Sequence, residues 1–303
     1  MTTTHSPRHT DVDPVVVEDA ADHHDPQGAG TVRRRKRSIV GVVAGAWLVV
    51  VVLAAVFAGL LPIADPEAVG TAYRATPGTG GALLGTDALG RDIFSRVIYG
   101  ARYSLAVAFG ATAIAAVIGT AVGLLAGYRR GRTDLTTEIL TSTILAFPPL
   151  IFLIALSAAL EPSVRMLVLG LAIVATPSFV RVARAATIAN ADREYVQAAK
   201  TLGAPMLRIL LRELLPNVVR PAASFALVIA ATLVVAEGSL SFLGLGVPPE
   251  VPSWGGMIAQ GQDDLARAPH IVAIPGLVFF LTVYSLNTMG DELTARFGKG
   301  DRT

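Results

Sequence analysis

The chain has 303 residues, of which 52% are hydrophobic and only 16% charged, with a formal net charge of +2 and a mean hydropathy of +0.57. A soluble domain of this length carries about 25% charged residues on its hydrated surface, so the composition excludes an ordinary soluble protein and calls for a lipid solvent. There is no cysteine, which excludes disulfides and thiolate metal sites.

Residues Met1–Gly30 are polar, with acids at Asp11, Asp13, Glu18, Asp19, Asp22 and Asp25, and predict an irregular tail with little to bury. Four of the five histidines (His5, His9, His23, His24) fall there; a metal-binding tail is the competing reading, an irregular polar tail without a metal site the expected one. The run Arg33-Arg34-Arg35-Lys36-Arg37 directly precedes the apolar stretch Ile39–Leu61. Beside a span, such a run reads as a cytoplasmic anchor rather than a nucleic-acid patch. Ile39–Leu61 is too long and too far from the start for a cleaved signal peptide and is long enough to cross a bilayer, which takes about 20 apolar residues.

Five further spans are predicted over Ser104–Gly127, Ile139–Leu160, Val164–Val182, Val218–Leu240 and Ile271–Gly290, making an all-α integral membrane protein with six transmembrane helices. The fourth is flanked by Arg165 and Arg181, and Pro177 should kink it; both features are tolerated in membranes. If both termini are cytoplasmic, 19 of the 25 Lys and Arg fall on the inner side and 6 on the outer. That asymmetry is the one expected of inward-facing loops.

Several chemistries lack their signatures. There is no Gly-x-x-x-x-Gly-Lys-Ser/Thr loop to cradle a nucleotide, no Gly-x-Ser-x-Gly elbow and no His-Glu-x-x-His pair. The glycine-rich stretch Gly78–Gly85 lacks dinucleotide-binding spacing and reads as an outer loop. The spans hold almost no ionisable residue away from their ends, whereas proton-coupled carriers keep such groups at membrane depth. Uphill transport would therefore take its energy from a partner. A secondary carrier remains the competing class, together with an exporter component or a membrane scaffold.

The loop between the fourth and fifth spans is the most informative segment. Asp192 is a plausible N-cap and Glu194 suits a first turn, predicting a short helix over Glu194–Leu202 that ends at Gly203. Ala204-Pro205 restarts a second helix in which Leu207, Leu210, Leu211, Leu214 and Leu215 leave Arg208 and Arg212 on another face, before Pro216 opens the fifth span. An interfacial amphipathic helix would account for this pattern. So would a docking helix, with Ala198 and Ala199 permitting close approach and Gly203 the sharp turn.

Before the second span, Leu89, Ile93, Val97 and Ile98 predict an amphipathic outer helix, with Arg91, Asp92 and Arg96 on the other face. After the fifth span, Gly244, Gly246, Pro248, Pro249 and Pro252 argue against a regular helix, and Trp254 suits an interface anchor. Glu237 sits where an outer gate could lie; the alternative is a carboxylate that reaches the water interface.

Three strings carry a family resemblance. Gln197-Ala198-Ala199, Gly203 and Pro216, preceded by Glu194 and Tyr195, resemble the coupling loop of ABC importer permeases, with Gln197 in place of the usual glutamate. Gly85-Thr86-Asp87 followed by Gly90-Arg91-Asp92, Ser95-Arg96 and Tyr99-Gly100-Ala101-Arg102 resembles the C-type permease subunit of dipeptide, oligopeptide and nickel importers. So does Leu240–Gly261, with Ser241, Phe242, Gly244, Gly246 and Trp254, a stretch that in that family faces the outer mouth.

The resemblance implies the type I importer permease fold, with the first span peripheral to a core formed by the others. It divides the chain into a cytoplasmic tail and anchor (1–38), a first helix with an outer segment (39–103), a permease core (104–290) containing the coupling loop (183–217), and a short cytoplasmic tail (291–303). It further implies a subunit of a bacterial plasma-membrane importer that performs no bond chemistry itself. Its partners would be a second permease, two cytoplasmic ATPases that hold ATP and Mg, and an extracytoplasmic solute-binding lipoprotein. Peptide is the expected cargo and nickel the alternative.

Overall fold

The structure, a computed structural model, describes residues 1–2, 39–246, 248 and 250–297. The acidic tail, its histidines and the basic run lie outside the described residues. Chain contacts separate residues 1–36 from 37–303, and the architecture that follows belongs to the second unit. Among the described residues the secondary structure is helical, with one isolated antiparallel bridge between Thr86 and Asp92.

Helix α1 (Ile39–Val56) is apolar all round, as a lipid-facing helix must be. It ends five residues before the apolar stretch does, in a 3-10 turn over Ala58–Leu60. Small Gly41, Ala44 and Ala55 turn inward, and Trp47 Nε1 donates to Thr282 Oγ1 at 3.1 Å. Helix α2 (Ile93–Arg129) follows after a long irregular outer segment. Asp92 caps it by accepting from Ser95 N at 2.8 Å. The amphipathic outer helix expected before the second span is thus the first part of α2 itself. Leu89 precedes the cap and is not on its stripe, because Gly90 at φ +76° breaks the chain direction there.

The third span is not one straight helix. Helices α3 (Gly131–Ala146) and α4 (Pro149–Ala159) meet at 79° around Phe147-Pro148. Proline cannot extend the preceding helix and biases the residue before it to extended backbone, here ψ 129° at Phe147. Helix α5 (Val164–Ala191) runs nine residues beyond its apolar stretch, and Pro177 lies within it without ending it. Then come α6 (Glu194–Thr201), a single turn α7 (Met206–Arg208), a π-helical turn (Ile209–Leu214) and α8 (Leu215–Phe242). The second helix of the loop is therefore continuous with the fifth span. Pro216 lies inside that continuous run, directly after the π-helical turn, where the helix accommodates a residue that cannot donate to the preceding turn.

A short helix α9 (Trp254–Gly261) stands in the stretch where the glycines and prolines argued against regular structure. Those residues all precede it, and Ser253 caps it through Gly256 N. Helix α10 (His270–Phe297) continues seven residues past the predicted sixth span, so 291–297 is helix rather than tail. Among the described residues five helices are long and apolar enough to cross a membrane, and the bent α3–α4 pair makes a sixth if it counts as one span.

Helix α2 packs chiefly on α5 and α8, and α1 rests on α10 and α2 at the periphery. The α2–α5 seam is built from Gly119, Gly123 and Gly127, four residues apart. A Cβ on Gly123 would lie 2.5 Å from Val180 O and 2.8 Å from Ala183 Cβ. Association in lipid gains from this close approach because apolar burial alone gives no advantage there. Phe179 fills the next layer, edge-on to Phe225 at 5.3 Å.

Candidate functional sites at the two ends of the bundle

The loop after α5 forms a compact projection. Val196 of α6 is wholly buried, in a small core with Leu124, Ala183, Ile209, Leu210 and Leu214. Helix α6 is short for independent stability, so this anchor and its polar ties hold it in place. Asn217 Nδ2 donates to the Tyr195 hydroxyl at 3.1 Å, and that hydroxyl donates to Asn190 Oδ1 at 3.4 Å. Lys200 Nζ lies 5.3 Å from the centre of the Tyr128 ring, tying α6 to the end of α2.

Asp192 does not cap α6. Its backbone closes α5, Arg193 takes the N-cap position of α6 without capping it through its side chain, and the Asp192 carboxylate pairs with Arg130 at 2.6 Å. An aspartate two residues before the helix has a guanidinium within reach, and the ion pair takes it.

The turn after α6 closes through Gly203 N to Lys200 O and Ala204 N to Ala199 O, both at 3.0 Å. Gly203 has φ +76°, the left-handed conformation that glycine adopts at a helix end without cost. Glu194, Gln197 and Ala198 are exposed, Ala199 is half-buried, and Pro216 is exposed on the same loop. The most exposed apolar side chain of the projection is Leu202, at 86%. Leu202 was not among the expected docking residues; it stands at the C-cap of α6, directly before Gly203.

At the other end of α2, about 55 Å away by helical rise, the remaining motif residues converge. Thr86 Oγ1 donates to Ala72 O at 2.5 Å and accepts from Ala75 N at 2.9 Å, folding the outer segment on itself. Asp87 Oδ1 accepts from the backbone of Leu89 and Arg91, both at 2.9 Å, and Oδ2 accepts from Arg91 Nε at 2.7 Å. Gly90 sits against Gly70, and a Cβ there would lie 2.5 Å from Gly70 O. Gly85, at φ +83°, approaches Ala75 O as closely. Ser95 Oγ donates to Ala64 O, which ties the start of α2 to the segment after α1.

The two outer motifs, far apart in sequence, meet through Gln260 of α9. Its Oε1 accepts from Arg91 Nη2 at 2.9 Å and from Arg96 Nη2 at 3.3 Å. Arg74 pairs with Asp264 at 2.6 Å across the same junction. Arg96 belongs to the outer family string and Gln260 to the Leu240–Gly261 stretch, though neither was singled out as a site residue; Arg74 and Asp264 carried no sequence signal beyond their charge.

Trp254 is not an interface anchor. It is wholly buried, its Nε1 donates to Val97 O at 3.1 Å, and its ring meets Phe279 edge-on at 6.3 Å. The glycine that follows it packs Gly255 on Gly238 of α8 and draws the indole inside. Glu237 does not reach water either. It is 1% exposed, and its Oε1 accepts from Ser241 Oγ at 2.7 Å. Gly246 leaves room for that hydroxyl, since a Cβ there would lie 2.1 Å from Ser241 Oγ. Phe242 and Gly244 are exposed, and Gly244 at φ +74° ends α8. Among the described residues no cluster of three or more His, Cys, Asp or Glu is placed to hold a metal ion.

Comparison with known proteins agrees with this arrangement. Residues 119–299 match the family described as binding-protein-dependent transport system inner membrane component. The chain is 37% identical over 253 residues to the di/tripeptide transport system permease protein DppC of Pseudomonas aeruginosa, covering 82% of this chain and 84% of that one. It is 36% identical over 262 residues to the glutathione transport system permease protein GsiD of Pectobacterium atrosepticum, covering 86% and 87%. Among solved structures, an inward-facing form of the MetNI methionine ABC transporter superposes with a TM-score of 0.55 at 19% identity, covering 67% of this chain and 96% of that one. That likeness establishes the ABC permease fold. By family match and by the extent of its curated relatives, the chain belongs to the binding-protein-dependent inner membrane transport components, among their C-type peptide permeases.

Proposed function

We propose that the chain is one permease subunit of an ATP-driven importer of short peptides in the bacterial plasma membrane, with both termini in the cytoplasm. The observation that carries this reading is the α6 projection, with its exposed Leu202 and its glycine turn, at the opposite end of α2 from the Gln260 junction. One end is shaped to be pushed by an ATPase and the other to receive a solute. Among the described residues, Lys and Arg are more numerous on the α6 side of the bundle than on the opposite side, which supports the inward orientation of that end.

In this reading the partners are a second permease, two ATPases carrying ATP and Mg, and an extracytoplasmic solute-binding lipoprotein. Closure of the ATPases moves α6, and the buried Val196 and the Tyr195–Asn217 bond pass that motion to α8. The bundle then rocks between two packings, a rigid-body switch. ATP drives it only as far as it binds the closed state more tightly. Short peptides are favoured over nickel because the curated relatives are named for di- and tripeptides and for glutathione.

A mild-detergent pull-down of the tagged chain, with mass spectrometry of its partners, tests the assembly. Recovery of a second permease, ATPases and a lipoprotein, with ATP-dependent peptide uptake in proteoliposomes, is the expected result. Recovery of the chain alone from a preparation that preserves other membrane complexes, or peptide uptake without any ATPase, would overturn it in favour of a secondary carrier.

A further inference from the structure

The Gln260 junction borders a half-open hollow of about 330 Å³ between the start of α2 and the α9–α10 corner. Asp87, Arg91, Arg96 and Gln260 form its polar wall, and Leu89, Ile93, Met257 and Ile271 its apolar one. A few convergent polar groups in a mostly apolar hollow of about 300 Å³ or more is the usual make-up of a small-molecule site.

The electrostatics favour a carboxylate. Two guanidiniums share one carboxylate, Asp87, whose oxygens already accept from Leu89 N, Arg91 N and Arg91 Nε. Arg96 is 1% exposed, with Nη1 on Pro66 O at 3.1 Å and Nη2 on Gln260. Its position is thereby set by backbone and amide rather than by a second acid in the wall. Arg91 uses Nε and Nη2 in its internal bonds, and Nη1 takes part in neither. Glu67 also acts electrostatically on Arg96, but it is exposed and lies outside the lining.

The position favours a dissolved ligand over a lipid. The apolar part of α2 begins near Ser104, and Arg96 stands eight residues before it, about 12 Å further along the helix. The headgroup layer adds only about 5–8 Å on each side of the hydrocarbon. A lipid phosphate would thus fall short of the guanidiniums, whereas a solute arriving from the aqueous side would not. The volume also exceeds what a single acidic side chain from a docking protein would fill.

We propose that this pocket binds short peptides by their C-terminal carboxylate, which Arg91 receives with the buried charge of Arg96 behind it, while the last side chain rests against Leu89, Met257 and Ile271. The cargo class rests on the importer reading given above. The pocket adds a binding site within the permease itself, on the outer side, separate from any site on the solute-binding partner.

The test uses the assembled transporter in nanodiscs, without solute-binding protein or nucleotide, and the dipeptide Ala-Leu against its C-terminal amide. Calorimetric titration should show Ala-Leu binding about tenfold or more tighter than the amide, the loss expected when charge-assisted hydrogen bonds are removed. Arg91→Gln should weaken Ala-Leu binding by a similar factor. Because that variant also loosens the junction, Leu89→Trp serves beside it: Leu89 is 51% exposed at the rim, and a larger ring there should block the hollow while the assembly still forms.

Equal affinities for acid and amide would overturn the proposal, as would wild-type binding by Leu89→Trp. So would an absence of Ala-Leu binding in a transporter that imports the dipeptide once its solute-binding protein is added, and that result would leave the importer reading intact. Carboxylate-dependent binding in a transporter that imports no peptide would instead support the pocket and count against the cargo.

Discussion

Gly203→Val tests the docking projection directly. An ideal Cβ at Gly203 meets nothing within 4 Å, so the substitution introduces no clash, and its whole cost is backbone strain at φ +76°. Holding an L-residue in the left-handed region costs about 1–2 kcal/mol, and a β-branched one falls at the upper end. That corresponds to a factor of about 5–30 in the population of the closed turn. The bonds from Gly203 N to Lys200 O and from Ala204 N to Ala199 O are the first to loosen. Below them, Leu210 and Leu214 stay buried and keep α8 seated.

The expected phenotype is normal membrane insertion and thermal stability, with peptide uptake per ATP hydrolysed reduced about 5–30-fold in proteoliposomes. Gly203→Asn should lie between Val and wild type, because asparagine tolerates the left-handed region better. Wild-type coupling in the Val variant would refute the role given to this turn. A variant that fails to insert would refute the claim that the strain is local.

Four other outcomes follow from the packing. Gly123→Leu should destabilise the α2–α5 seam by about 3 kcal/mol or more, since its Cβ alone would meet Val180 O at 2.5 Å; an unchanged melting temperature in detergent would show that the seam is looser than described. Leu202→Glu should leave melting within about 0.5 kcal/mol, as an exposed change does, yet abolish co-purification of the ATPases, and retention of them would remove Leu202 from the docking face. Asp87→Asn should cost about 3 kcal/mol by leaving the buried Arg96 short of countercharge, visible as faster amide hydrogen exchange over residues 85–96. Glu237→Gln should keep the bond from Ser241 and cost no more than about 1 kcal/mol, whereas Glu237→Lys should prevent assembly; a well-folded Lys variant would contradict the burial of this side chain.

Much of the architecture was legible in the residues because a bilayer imposes a demand that composition must meet locally. Every spanning segment has to be apolar over about 20 residues and satisfy its own backbone hydrogen bonds. The number of spans, the long outer segment and the loop with Gly203 could therefore be read in chain order without knowing what packs on what. The motif glycines were equally readable. Gly85, Gly90, Gly203 and Gly244 all adopt positive φ, a property of the residue itself.

What the residues did not disclose depends on neighbours distant in the chain. The break at Phe147-Pro148 carried a local signal, but its 79° angle is set by how α3 and α4 each lie against α5. Asp192 looked like a cap until Arg130, 62 residues away, engaged it. Trp254 and Glu237 looked like interface groups because an amphipathic side chain near the end of a span usually is one. Their burial follows from the contact of Gly255 with Gly238 and of Trp254 with Val97, which closes the outer end of the bundle over them. The meeting of Arg91 and Arg96 with Gln260 spans more than 160 residues. Apolar periodicity places a helix in a membrane whatever lies beside it, but a polar pocket exists only where the folded chain brings its walls together.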